Sequence, residues 1–249
     1  LSEKMMNVIA RYCDNPHIYS IDESFLHFKN YSGVIKNWHQ YGHEIRRAIW
    51  KETRLPVGVG FGTTSTLAKA ANHAAKKLTG FNGVAVIDNA QSAKSILEQM
   101  DVSDVWGVGR KISERLKQQG LQSAYQLSKQ CPKVIRKQFS IVTERTVNEL
   151  NGISCLTWDE IKEPKQEIFS TRSFGQRIVD INTLQAALTT HSAIVAKKVR
   201  QQSSLIKKLL VFAASSPHDE NYYKQAMVYK FPVSTDNSCD LAKAVSLVL

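Results

Sequence analysis

The hydrophobic pattern changes period several times along the chain, and its first distinct feature is an interrupted strand. Ile18, Tyr19 and Ile21 lead up to two adjacent acids, Asp22 and Glu23, and Phe25, Leu26 and Phe28 follow them. β-Branched and aromatic residues of this kind suit a half-buried sheet, so two short strands joined at the acids are predicted. Met5, Met6, Ile9 and Ala10 fall at helical spacing ahead of them. Behind them Val34, Trp38, Tyr41, Ile45 and Ala48 recur at steps of three and four, which predicts an amphipathic helix over 33–53. A short buried strand over 55–62 ends in glycines, Thr63 or Thr64 can cap a helix that runs to Lys77, and 83–88 returns as a strand. That order of strands and helices describes an α+β or α/β sheet layer.

The second half changes character. Asp104 to Gly120 holds a Gly-apolar-Gly turn at the start of a helix, and Leu121 to Leu127 continues it, a pattern that resembles a helix–hairpin–helix. Thr157-Trp-Asp-Glu-Ile-Lys-Glu-Pro164 is net acidic and ends in proline, as a linker does. Beyond it the pattern predicts a strand over 165–177, a helix over 183–202, strands over 208–213 and 225–231, and a helix from Ser238 to Leu249. That is β-α-β-β-α, one strand short of a split β-α-β module. The chain opens on Leu1 and closes on Leu249, both apparently within helices, so both ends read as cut and the chain as a fragment.

Charge sharpens this picture. The 249 residues carry 33 Lys and Arg against 22 Asp and Glu, a formal net charge of +11. The excess is spread over 1–100, 101–150 and 165–230 alike, which suits an extended polyanion such as nucleic acid. Cys13, Cys131, Cys155 and Cys239 are scattered without a C-x-x-C, so neither a disulfide framework nor a zinc site is indicated. No apolar run reaches the roughly 18–20 residues of a membrane span, and no signal peptide is evident. A cytoplasmic protein is predicted.

Candidate chemistry begins at the acids. Successive strand residues point to opposite faces, so Asp22 and Glu23 can converge only if the strand breaks there. Carboxylates gathered at a sheet edge suit Mg²⁺, which takes oxygen ligands and shares its shell with substrate phosphates. A solvated turn is the alternative, because acids are common at hairpin tips. On the 64–77 helix, Lys69 and Lys76 stand two turns apart on one face, about 10 Å, which suits a long anion such as a triphosphate; two solvated lysines are the alternative. Gly107 and Gly109 would let backbone approach a nucleic-acid phosphate, with Arg110, Lys111 and Arg115 adding sequence-independent attraction. As an alternative, the glycines only cap helices.

Four stretches carry a family resemblance: Tyr19-Ser-Ile-Asp-Glu-Ser-Phe25, Leu67-Ala-Lys-Ala-Ala-Asn-His-Ala-Ala-Lys-Lys77, Val105-Trp-Gly-Val-Gly109 and Thr171-Arg-Ser-Phe-Gly175. In their order and spacing the chain resembles the Y-family translesion DNA polymerases, with its closest likeness to the UmuC branch, the ImpB/MucB/SamB group. The resemblance covers essentially the whole chain. It implies an α+β multidomain fold: a palm remnant at 1–100 with the acid hairpin, an all-α helix–hairpin–helix thumb at 101–155, a linker at 156–164, and a split β-α-β little finger at 165–249 missing its last strand. It implies DNA synthesis across damaged bases in the SOS response, with two Mg²⁺ ions held in part by Asp22 and Glu23. Lys76, and less directly Lys69, would contact the triphosphate. Gly107, Gly109, Arg110 and Lys111 would hold duplex backbone, and Arg172, Ser173 and Arg177 would lie along template phosphates.

The implied partners are damaged primer-template DNA, deoxynucleoside triphosphates, a UmuD-type accessory dimer, a RecA filament and the sliding clamp, with no membrane; the implied location is the bacterial cytoplasm, at the nucleoid during activity. Two departures stand out. Ser65 occupies a position where relatives commonly have lysine. The family's first metal-binding Asp lies on a palm strand well upstream of the Asp-Glu pair, followed by the fingers, and only 21 residues precede Asp22. The 249 residues alone are therefore predicted not to polymerise. The competing class is a non-catalytic DNA-binding protein that uses the helix–hairpin–helix and the basic surfaces.

Overall fold

The computed structural model describes residues 1–14, 16–29, 31, 33–156 and 165–249. The predicted linker, Leu156 apart, lies outside the described residues. The chain forms two units, 1–160 and 161–249, each with its own interior. Both combine helices with small two-stranded sheets, an α+β architecture.

In the first unit, helix α1 (Ser2–Ile9) precedes an antiparallel hairpin of β1 (Pro16–Ile18) and β2 (Ser24–Leu26), in which His17 faces Phe25. The hairpin is predicted correctly, but its first limb is not: β1 stops at Ile18, and Ile18, Tyr19 and Ile21 are exposed rather than half-buried. Residues 19–23 are consumed in the turn. Helix α2 (Trp38–Thr53) begins five residues later than predicted because Asn37 accepts a hydrogen bond from the Gln40 amide and caps it there, leaving Val34 exposed.

Strand β3 (Val59–Gly62) pairs in parallel with β4 (Val84–Ile87), and helix α3 (Ser65–Lys77) crosses between them. The predicted cap holds: Thr64 Oγ1 accepts from the Leu67 amide. Ala70, Ala71, Ala74 and Ala75 are buried against the sheet, and small side chains allow that close approach. Gly60 uses it fully, since a Cβ there would lie 2.1 Å from the Asn72 amide nitrogen and 2.5 Å from the Ala68 carbonyl oxygen.

Helix α4 (Ala90–Gln99) has no counterpart in the sequence reading, although Asn89 and Ser92 close a capping box at its start. Helices α5 (Arg110–Gln118), α6 (Ala124–Ser128), α7 (Pro132–Gln138) and α8 (Ile141–Leu150) follow. One apolar core runs from Leu67 through Ile87, Ile96 and Leu97 to Leu116, Leu127, Val147 and Leu150, so 101–150 packs directly on the α3 and α4 layer.

A charged tie closes this part. Asp101 Oδ1 accepts from Lys117 Nζ at 2.8 Å and from the amide and hydroxyl of Ser103. Lys117 first, then Ser103, hold the carboxyl down at about 2. A depressed carboxyl contributes stability above its unfolded value, about 4, and loses it as the pH falls through its folded value. Asp101→Asn is therefore expected to be less stable than the parent at pH 7 by about 1 kcal/mol or less, given solvent screening, with the gap closing toward pH 2. Urea unfolding across pH 2–7 checks this, and a gap that does not change with pH removes Asp101 as its source.

In the second unit, helix α9 (Ile181–Gln201), strands β5 (Ile206–Ala214) and β6 (Lys224–Thr235), and helix α10 (Ser238–Val248) pack around Ala196, Leu209, Val211, Phe231, Leu241, Ala244 and Val245. The predicted strand over 165–177 does not form. It has no ladder partner among the described residues, so its polar groups turn to α9 instead: Lys198 Nζ donates to the Phe169 carbonyl, Gln202 exchanges hydrogen bonds with Lys165, and Ser170 Oγ meets His191 Nδ1. Among the described residues no helix is long and apolar enough to cross a membrane.

Candidate functional site

The acids sit where a strand has to end. Past Ile18 the chain reverses, and the Tyr19 and Ser20 amides both donate to the Glu23 carbonyl at 3.0 and 3.1 Å. This tight turn breaks the strand alternation that would otherwise send Asp22 and Glu23 to opposite faces. Ser20 Oγ donates to Asp22 Oδ1 at 2.5 Å, and the Ser2 hydroxyl fastens the turn by donating to the Ile21 carbonyl.

Glu23 is met from α3. Lys69 Nζ lies 2.5 Å from Glu23 Oε1, with the two side chains 22% and 32% exposed. The same ammonium lies 5.6 Å from the centroid of the Tyr19 ring. Tyr19 in turn stands edge-on to Phe25 and to Trp106, and Trp106 Nε1 donates to Tyr19 Oη at 3.2 Å. Trp106 therefore brings the Gly107–Gly109 turn into contact with the acid hairpin. Sequence reasoning misses both the Lys69–Glu23 pair and the Trp106 contact, because the partners are 46 and 87 residues apart and carry no local signal.

Asp22, Glu23, Lys69 and Lys76 line one cleft of about 600 Å³, with Asn72 and Asp88 among its other polar residues and Phe28, Val57 and Phe61 on its apolar wall. The stem of Lys76 lies against Gly58, where a Cβ would come within 2.8 Å of Lys76 Cγ. Two carboxylates offering only hard oxygens fit a divalent cation such as Mg²⁺, and the Lys69 ammonium already stands as a cation at one of them. Among the described residues no three His, Cys, Asp or Glu side chains converge, and Asp88 spends its Oδ1 on Asn89 and Ser92.

Gly107 takes a left-handed φ of 89° at the third position of a turn closed by the Val108 amide and the Val105 carbonyl. Only a residue without Cβ adopts this freely, which leaves the turn backbone exposed. Gly109 starts α5 in open space, and Arg110 and Lys111 are exposed beside it. Arg115 is engaged internally, donating to the Gln138 carbonyl at 2.7 Å and lying over the Phe139 ring. In the second unit Arg172 and Ser173 are exposed on irregular backbone, and Arg177 pairs with Asp219 at 2.6 Å.

Against known proteins, residues 1–73 match the model of the impB/mucB/samB family and residues 165–249 the model of the impB/mucB/samB family C-terminal domain. The chain is 38% identical over 249 residues to Protein UmuC of Salmonella typhimurium and 35% identical over 248 residues to Protein SamB of the same species. Each comparison covers 98% of this chain, and the chain spans 58% of the length of each relative. Its fold is similar to that of the structure titled "Y-family DNA polymerase chimera Dbh-Dpo4(243-245)-Dbh", with a TM-score of 0.64 and 19% identity over 99% of this chain and 68% of that one.

Proposed function

Since the chain belongs to the impB/mucB/samB family, we propose that it supplies the acid hairpin, the DNA-holding turn and the C-terminal DNA-contacting part of a translesion DNA polymerase. The observation that carries this reading is the meeting of Asp22 and Glu23 with Lys69 and Lys76 in one cleft. On this reading the divisions are a palm over 1–100, a thumb over 101–155 and a little finger over 165–249.

Asp22 and Glu23 would hold Mg²⁺, with a ligand from outside the described residues completing the set. Bound there, such a metal would supply a lowered pKa to a primer 3′-hydroxyl and charge to offset a departing pyrophosphate. Ser20 orients Asp22 by hydrogen bonding one carboxylate oxygen. Lys76 reaches the cleft as a point charge for the triphosphate of the incoming nucleotide. Gly107 and Gly109 let duplex backbone approach, and Arg110 and Lys111 attract it without reading sequence. Arg172, Ser173 and Arg177 serve the template strand in the same way. Damaged primer-template DNA and deoxynucleoside triphosphates are the substrates, and a UmuD-type dimer, a RecA filament and the sliding clamp are partners carried over by family resemblance.

The test is Mg²⁺-dependent primer extension across an abasic site by the full gene product that carries this chain. Asp22→Asn and Glu23→Gln are each expected to lower the rate at least about a hundredfold, the loss expected when a metal ligand is removed. The 249 residues alone are expected to give no extension, because two carboxylates are an incomplete ligand set. Unchanged extension by either variant removes the metal-ligand assignment. DNA binding without extension in the full gene product supports a non-catalytic DNA-binding role instead.

A further inference from the structure

Glu23 already has a cation, and that cation belongs to the protein. The Lys69 ammonium is in direct contact with Glu23 Oε1 at 2.5 Å, and both side chains are mostly screened from solvent. Asp22, the adjacent carboxylate, is held by Ser20 and reaches the same cleft. Two neighbouring carboxylates repel, and a tethered ammonium offsets that repulsion. A divalent cation drawn to Glu23 would share that carboxylate with the ammonium, and the two cations would repel.

Resting on the reading of Asp22 and Glu23 as metal ligands, we infer that Lys69 is the resident counter-ion of the acid pair. It neutralises Glu23 while no metal is bound and competes with the divalent cation for that carboxylate. Lys69 has a flexible four-carbon stem, and the Tyr19 ring, 5.6 Å from its ammonium, offers a face beside which the charge can remain after it leaves Glu23. Tyr19 touches Trp106, so an exchange of cations at Glu23 changes the surroundings of an indole.

Terbium(III) suits the test, because the Tyr19 ring lies beside the ammonium that meets Glu23, with Trp106 against Tyr19, and aromatic rings so placed sensitise its emission. Titrating Tb³⁺ into the 249-residue protein, with Mg²⁺ as competitor, reads the affinity without any activity. Lys69→Met is expected to bind about tenfold more tightly than the parent, a difference of about 1.4 kcal/mol. Lys69→Arg, which keeps the charge, is expected to stay close to the parent, and Glu23→Gln to lose the site. A merely structural lysine predicts the opposite sign, since its loss would let Glu23 swing away and weaken binding. Should Lys69→Met fail to fold by circular dichroism, Lys69→Gln takes its place. If binding depends on Asp22 and Glu23 but Lys69→Met, or Lys69→Gln in its place, binds no tighter than the parent, the counter-ion role is overturned and the metal-ligand reading stands. If no Tb³⁺ binding depends on Asp22 and Glu23, both are overturned.

Discussion

Glu149→Ala is expected to destabilise the first unit by about 3–5 kcal/mol, the range for stripping a charged acceptor from buried partners. Glu149 is only 1% exposed, yet no cation neutralises it among the described residues. Its Oε2 accepts from the amide and hydroxyl of Thr66, both at 2.9 Å, and its Oε1 from the amides of Cys155 and Leu156 at 2.9 and 3.2 Å. The carboxylate also lies at the start of α3, where helix dipole and unpaired amides favour an anion. Its own carbonyl accepts from Thr64 Oγ1 at 2.8 Å, so one residue at the end of α8 fastens the start of the helix that carries Lys69 and Lys76. Alanine removes the acceptor of four donors, the two of Thr66 buried and the amides of Cys155 and Leu156 partly buried. Glutamine keeps the shape but presents an NH₂ to two of those donors, and an intermediate loss of about 2 kcal/mol is expected. Urea unfolding followed by tryptophan fluorescence suits the measurement, since all four tryptophans fall within residues 1–160. A loss below about 1 kcal/mol for Glu149→Ala would mean that water or rearrangement satisfies those donors.

Gly60→Ala is expected to cost about 3 kcal/mol or more, at the upper end of overpacking effects. The added methyl would meet only backbone: the Asn72 nitrogen at 2.1 Å, the Ala68 oxygen at 2.5 Å and the Ala71 carbonyl carbon at 2.7 Å. No flexible side chain can move aside, so β3 and α3 must separate. That displacement would also carry Lys69 away from Glu23. A melting temperature lower by roughly 10 °C is expected, since each kcal/mol is worth about 2–4 °C in a unit of this size. Gly109→Ala is the control, because a Cβ there meets nothing within 4 Å. Equal melting temperatures for the two variants would refute the close-packing account.

What the sequence reveals is local, and what it conceals is distant. Asp22 and Glu23 stand out because acids interrupt a strand-like run, and α3 is bounded correctly because Thr64 caps it and its alanines mark the buried face. Helix α4 escapes notice because its apolar positions are few, Ile96 and Leu97 being its only large buried residues. The false strand over 165–177 follows from reading a mixed sequence without a partner strand, and strand formation is a property of pairs. The Glu149 network joins residues 83 to 85 positions apart, and Glu149 resembles any exposed helix acid until the fold buries it. Composition carries no trace of such a contact.

The Glu149 tie also bears on the order in which the protein is made. Residues 64–66 leave the ribosome long before Glu149, Cys155 and Leu156, so the amides at the start of α3 have no acceptor from α8 while synthesis proceeds through that interval. Contacts of such long sequence separation form late and slowly. The start of the helix that carries both cleft lysines is therefore fastened only once Glu149 has emerged, and a ribosome stalled earlier would display an acid hairpin whose lysine helix lacks that tie.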